Sequence, residues 1–181
     1  DYLSRLIYGG RISISVGLLG VLVSSTIGVF LGVIAGFYRG RVDDVIMRAV
    51  DVFMALPLLL LALIVLFILG PSFINIILVF AIGRWMLFCR VTRGLVLSLK
   101  EQAFVDAAVA TGCSDYRIMT RHVVPNLITP VLTLAALGVP QNILTESTLS
   151  FLGFGIQPPD SSWGLMLSQG RQYIVTAWWV V

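Results

Sequence analysis

Leu99-Lys100-Glu101-Gln102-Ala103-Phe104-Val105-Asp106-Ala107-Ala108-Val109-Ala110-Thr111-Gly112, continued through Arg117, Arg121, His122, Pro125 and Asn126, is a polar stretch set among long apolar segments. Its density of charge forbids a place in hydrocarbon. It does not read as slack linker either. Ser98 to Ala110 holds neither Pro nor Gly and predicts a helix, with Leu99, Ala103 and Ala107 on one face and small Ala108 beside them. Gly112 is placed to end that helix in a left-handed conformation. Ser114 or Asp115 is suited to cap a second helix, which continues through Tyr116, Ile118 and Met119 towards His122. Pro125 is expected to stop or kink the chain before it re-enters the membrane. The stretch reads as a rigid knob on two stalks, projecting from a membrane protein.

The surroundings agree. The chain has 181 residues, of which 58% are hydrophobic and 12% charged, against roughly 25% charged in a soluble domain. Mean hydropathy is +0.99. These values predict an all-α, polytopic membrane helix bundle. Residues 12–38 carry no Asp, Glu, Lys or Arg, enough for about 40 Å of helix at 1.5 Å per residue. Gly70-Pro71-Ser72 divides a second uncharged run, 52–83. The expected spans are about 12–37, 52–69, 73–88 and 127–150, with the start of another at 174–181 and a cytoplasmic loop at 89–126. Residues 1–181 form a single transmembrane domain in this reading. The chain opens on Asp1 rather than Met, and is expected to be a piece of a longer protein.

Orientation follows from the basic residues. Arg39, Arg41, Arg48, Arg90, Arg93, Lys100, Arg117 and Arg121 share one side, and only Arg5, Arg11 and Arg171 the other. This asymmetry places the polar element in the cytoplasm and Trp163, Trp178 and Trp179 on the outer side. The net charge of +3 is spread through short loops, which argues for membrane topology rather than nucleic acid. Cys89 and Cys113 do not make a disulfide framework, and the single histidine, His122, makes no metal site.

Gly20, Ser24, Gly28, Gly32 and Gly36 step by four and share one face of the first helix, which lets another backbone approach closely. That neighbour is either a helix of the same subunit or a second subunit. Gln141, Asn142, Thr145 and Glu146 cluster in the last complete span. They either line a translocation path or hydrogen-bond between helices. Pro140 is placed to kink that helix, and Arg84 to snorkel to head groups.

Asp106-Ala107-Ala108, three residues, Gly112, then twelve residues to Pro125 resembles the EAA loop of ABC importer permeases, which usually has Glu where this chain has Asp106. His122-Val123-Val124-Pro125-Asn126 is similar to the loop ending of the peptide and nickel branch. Ser4–Ser13 resembles that family's entry to its second membrane helix. Ser150-Phe151-Leu152-Gly153-Phe154-Gly155-Ile156-Gln157-Pro158-Pro159, with Trp163-Gly164, resembles its C-type permeases of dipeptide and oligopeptide systems. The resemblance covers essentially the whole chain. It implies a type I importer transmembrane domain lacking the first span and most of the last, in a bacterial or archaeal cytoplasmic membrane. It further implies a heterodimer with a second permease, two ABC ATPases carrying ATP and Mg, and an extracytoplasmic binding protein. The cargo would be short peptides, with nickel, glutathione or another small solute as the alternative. Asp106, Ala107, Ala108, Gly112, Ser114, Asp115, Tyr116, Met119, His122, Pro125 and Asn126 would then contact the ATPase, with a coupling helix around 112–119. No cofactor is expected on this chain and no catalysis. Its only lysine, Lys100, lies between Leu99 and Glu101, outside the Gly-x-x-x-x-Gly-Lys-Ser/Thr pattern that cradles phosphate.

Two other classes weigh less. An ion-coupled secondary transporter calls for paired ionisable groups near the midplane, and the spans carry no acidic pair. A membrane enzyme calls for a converging constellation, which one histidine does not supply. The orientation is directly testable. Single cysteines replacing Ser114 and Ser161, in a background without Cys89 and Cys113, should be labelled from opposite sides of the membrane. Reaction of both with an impermeant reagent applied from outside would refute the assignment.

Overall fold

The computed structural model describes residues 2–174 and Thr176, and all regular structure among them is helical. Helix α1 runs Tyr2–Tyr38, α2 Gly40–Met54, α3 Leu58–Leu69, α4 Phe73–Leu99, α5 Ala103–Ala110 and α6 Asp115–Ile118. A π turn, Met119–Val123, leads into α7, Val124–Phe151. Then come α8, Trp163–Gly170, and a 3-10 turn, Arg171–Tyr173. Among the described residues three helices are long and apolar enough to cross a membrane, Tyr2–Tyr38, Phe73–Leu99 and Asp115–Phe151, and α2 with α3, bent by 82° at their break, make a fourth if the pair is one span. The start of a further span at 174–181, with Trp178 and Trp179, lies outside the described residues apart from Ile174 and Thr176.

The run expected as one span over 52–69 is broken. Val52–Met54 close α2, and α3 begins only at Leu58. Pro57 explains the break. It has no N–H, its ring collides with the carbonyl four residues back, and it drives Leu56 out of the helical region. The twelve residues of α3 rise only about 18 Å, short of a core of roughly 30 Å. At the other end of α3 the expected turn is present. Gly70 adopts φ +82°, the Asn75 side-chain amide donates to the carbonyls of Leu69 and Gly70, and the Ser72 hydroxyl accepts from Asn75 N–H. The polar groups left open where one helix ends and the next begins are thus met locally.

Two compact units emerge. One comprises α1 up to Val23, Leu56–Gly83 and the chain from Leu137 onward; the other comprises Ser24–Ala55 and Arg84–Ala136. Helices α1, α4 and α7 contribute residues to both. The first unit buries Val16, Leu66, Ile76, Phe80, Leu149 and Ile156 together. In the second unit, Val33, Phe37, Val96, Val105, Ala108, Ile118, Val123 and Leu127 form one cluster. Val50, Trp85, Met86 and Cys89 form another.

In the second unit α1 lies directly on α4. A Cβ added at Gly28 would meet Phe88 Cβ at 2.5 Å and collide with the Trp85 carbonyl. One at Gly32 would come within 2.6 Å of the Cys89 carbonyl, and one at Gly36 within 2.9 Å of the Arg93 carbonyl. In the first unit, the Gly20 face receives Phe80 and the Asn142 side chain, and Ser24 in the second is buried. The small-residue stripe therefore packs within this subunit. Gly28→Leu should overpack that seam, at a cost of about 1–3 kcal/mol or more. Gly94→Ala, with open space around its Cβ position, should instead be neutral or gain about 0.5–1 kcal/mol. Thermal unfolding of the two purified variants checks the contrast.

Candidate functional site

The projecting element starts where α4 ends. The expected helix from Ser98 to Ala110 is interrupted: Glu101 and Gln102 N–H groups close tight turns on the carbonyls of Ser98 and Leu99, and Gln102 is extended. The cause is tertiary. Lys100 Nζ donates to the Phe37 carbonyl at 2.7 Å and sits 4.5 Å from the centre of the Phe37 ring. Lys100 thus caps the C-terminal carbonyls of α1, where a cation is favourable. Arg39 pairs with Glu101 at 3.4 Å beside it. Residues 100–102 serve this joint instead of continuing the helix.

Helix α5 then lies with Val105 and Ala108 inward, against the cluster that holds Phe37 and Val96. Leu99, Ala103 and Ala107 do not share one helix, since Leu99 closes α4, and Ala103 and Ala107 are exposed. Gly112 ends α5 as expected, at φ +78°. The Gly112 N–H reaches the Val109 carbonyl and the Cys113 N–H the Ala108 carbonyl. This is the Schellman arrangement, with Cys113 packed against the cluster that contains Ala108. Ser114 occupies the N-cap position of α6 without a side-chain capping bond. Ile118 and Val123 turn inward, and Tyr116 is 72% exposed.

Pro125 neither stops nor breaks the chain. It sits in the first turn of α7, immediately after the π turn. The Val124 N–H reaches back five residues to the Met119 carbonyl, a widening that makes room for the proline ring. The Asn126 side-chain amide donates to the His122 carbonyl at 2.6 Å. Of the residues expected at a docking surface, Asp106, Ala107, Gly112, Ser114, Asp115, Tyr116, Pro125 and Asn126 are exposed. Met119 and His122 are half-buried, and Ala108 is buried. Asp106 has no side-chain partner among the described residues.

The polar cluster of α7 divides by face. Gln141 is exposed. Asn142 and Glu146 are fully buried within the subunit, and Thr145 nearly so. Asn142 Nδ2 donates to the Gly17 carbonyl of α1 at 3.3 Å. Thr145 Oγ1 donates to its own helix, at the Gln141 carbonyl. Glu146 Oε1 accepts from Ser150 Oγ at 2.7 Å and from Ser162 Oγ at 2.8 Å. Ser162 in turn accepts from Leu165 N–H and caps α8. In this chain Asn142 and Glu146 hold helices and a loop together, the second of the two roles their residue types permit. Helix α7 runs on through Pro140 without interruption.

A family model described as the binding-protein-dependent transport system inner membrane component matches residues 28–181. The chain belongs to this family of ABC importer permeases. It is 42% identical, over all 181 of its residues and 60% of the relative, to the di/tripeptide transport system permease protein DppC of Pseudomonas aeruginosa. It is 38% identical, over 98% of the chain and 59% of the relative, to the glutathione transport system permease protein GsiD of Pectobacterium atrosepticum. The chain thus spans about 60% of the length of the curated relatives it matches. Its fold is that of a chain in inward-facing structures of the MetNI methionine ABC transporter, with a TM-score of 0.74 at 16% identity, covering 96% of this chain and 82% of that one. The permease is an integral membrane protein.

Sequence reasoning missed a set of ion pairs in this permease. The stretch between the expected spans 12–37 and 52–69 is mostly helix α2. Arg93 grips Asp43 in a bidentate pair at 2.5 and 2.6 Å, and Arg90 pairs with Asp51. Asp43 is only 8% exposed. The signal was present as Asp43, Ile46, Met47, Val50 and Phe53, a helical stripe that packs α2 onto α4. The outward apolar residues Phe104 and Val109 of α5 were also missed. For the buried cluster, Glu146→Leu should strand the Ser150 and Ser162 hydroxyls and cost about 1–3 kcal/mol. Glu146→Gln keeps an acceptor and should lose less. Melting temperatures, with proteolysis at the start of α8, distinguish the two.

Proposed function

We propose that the permease forms half of the translocation pathway of an ATP-driven importer for short peptides, and that α5 and α6 are its coupling element. The carrying observation is the anchored projection itself. A pair of short helices is pinned to α1 through Lys100 and Phe37, fixed by the Gly112 turn, and leaves the side chains of Asp106, Val109 and Tyr116 exposed. Such a surface suits a cleft on a cytoplasmic ATPase. ATP and Mg would reside on two such ATPases, a second permease would complete the pathway, and an extracytoplasmic binding protein would deliver cargo. Peptides are favoured because relatives over the whole chain are named as di/tripeptide and dipeptide permeases. The glutathione permease among them carries a small peptide as well. Gln141, the exposed polar residue of the α7 cluster, is the member best placed to line the pathway.

The test acts on the turn. No atom lies within 4 Å of a Cβ at Gly112, so substitution there is opposed by backbone conformation rather than by crowding. Gly112→Val should impose roughly 1–3 kcal/mol of local strain and misplace α6, while Gly112→Asn, which tolerates the left-handed region, should retain function. Asp106→Arg reverses the charge on the outward face. Gly112→Val and Asp106→Arg should insert and pair with the partner permease. They should lose ATPase co-purification, or the stimulation of hydrolysis by loaded binding protein in vesicles. Unchanged coupling in both would refute the role of residues 106–126.

A further inference from the structure

Five polar side chains of the first unit are buried at one junction: Ser13 of α1, Asn142, Glu146 and Ser150 of α7, and Ser162 at the start of α8. Each is at most 3% exposed. Helices α1 and α7 run antiparallel there. A Cβ at Gly17 would lie 2.9 Å from the Ile143 side chain and 3.2 Å from that of Val139, and one at Gly138 would lie 3.0 Å from that of Val21. One turn onward along α7, from Asn142 to Glu146, is therefore one turn back along α1, from Gly17 to Ser13. The Trp163 N–H, bonded to Ser13 Oγ, brings the loop beside Ser162 to the same level.

The hydrogen bonds of this junction do not balance. Glu146 Oε1 takes both hydroxyls, from Ser150 at 2.7 Å and from Ser162 at 2.8 Å. Glu146 Oε2 is buried with no partner among the described residues, and so is Asn142 Oδ1. Turning the Asn142 amide round would not help. The Gly17 carbonyl can only accept, and it holds Nδ2 towards α1. Both unmatched atoms are therefore acceptors, one turn apart on one face of α7. No cation of the unit answers them among the described residues. Arg5 is bonded to Gln169, Arg11 stacks on Tyr8 and Arg171 on Phe151. A carboxylate buried in this way is costly unless its charge is met.

We propose that Glu146 Oε2 and Asn142 Oδ1 hold a monovalent cation of the size of sodium, which locks the junction of α1, α7 and α8. The inference is independent of the importer reading. A carboxylate and an amide carbonyl are hard oxygen donors, suited to such an ion. One carboxylate balances one positive charge, whereas a divalent ion would leave a net charge buried. A water molecule could donate to both acceptors but would leave the carboxylate charge unmet. The space is tight, since a Cβ at Gly20 would come within 2.8 Å of Asn142 Nδ2, and this favours a small ion. Two hydroxyls donating to Oε1 are what an ionised carboxylate collects. A proton on Oε2 is the competing occupant, and the experiment separates the two.

The experiment uses the full-length permease, assembled with its partner subunits in lipid nanodiscs. Melting is compared at neutral pH in sodium chloride and in choline chloride of equal ionic strength, alongside binding of radioactive sodium. The melting temperature of the parent should rise by about 2 °C or more in sodium. Glu146→Gln still accepts from both serines, yet it should lose that rise and weaken sodium binding at least about tenfold. Asn142→Leu, which removes Oδ1 at similar volume, should behave in the same way. Asp160→Asn, which removes an exposed carboxylate of the same unit, should respond as the parent does. A parent indifferent to sodium overturns the site, and so does a response that Glu146→Gln retains. Melting that shifts between neutral and alkaline pH but not with sodium assigns a proton to Oε2 and also overturns the cation. Should Glu146→Gln fail to assemble, the sodium response of the parent and its loss in Asn142→Leu decide.

Discussion

The contact of α1 with α4 along Gly28, Gly32 and Gly36 is the constraint on which the second unit is built. No Cβ fits at these three positions, so the bare backbone of α1 rests on the carbonyls and Cβ atoms of α4. In a bilayer, helices gain little from hiding apolar surface, and close packing of small residues takes its place. Once α1 and α4 are in register, Phe37 is presented at the end of α1 and Lys100 at the end of α4. Their contact starts α5 at Ala103. The same register presents Arg90 and Arg93 to α2, where Asp51 and Asp43 receive them. Arg93 is tied twice, since its carbonyl lies against Gly36 and its guanidinium holds Asp43.

The long helices were legible because an uncharged run of more than twenty residues has few other meanings. Gly112 was legible because its role is local: a glycine past the last turn of a helix reports its own φ. What escaped was tertiary or proline-driven. Nothing between Ser98 and Ala110 breaks a helix by propensity, and the break arises from a lysine held by another helix. Pro57 was in plain sight but lay inside an uncharged run, where hydropathy outweighs local chemistry. Pro125 misled in the opposite direction, because a π turn absorbs the ring that an α-helix would reject.

For the polar residues of α7, composition gave membership and not direction. Asn142 and Glu146 lie four apart, and so do Gln141 and Thr145, yet burial separates Gln141 from the others. A one-position difference is 100° of rotation on a helix, and with little amphipathic contrast along α7 the sequence offers no phase to fix it. The partner of Glu146, Ser162, is 16 residues away across a loop, beyond any local pattern.

The π turn at Met119–Val123 has a consequence for how this chain can change its length over evolution. A π turn is an α-helix carrying one extra residue. Losing one residue from that segment would let it close into regular α-helix with the flanking turns still in phase, because the wide turn absorbs the rotation of about 100° that one residue adds. Leu127 and Val131 would stay set towards the cluster of the second unit, at the cost of the room that Pro125 uses. A further deletion finds no such slack and would turn the rest of the helix. The segment is therefore a place where the chain can shed one residue without swinging its buried side chains outward.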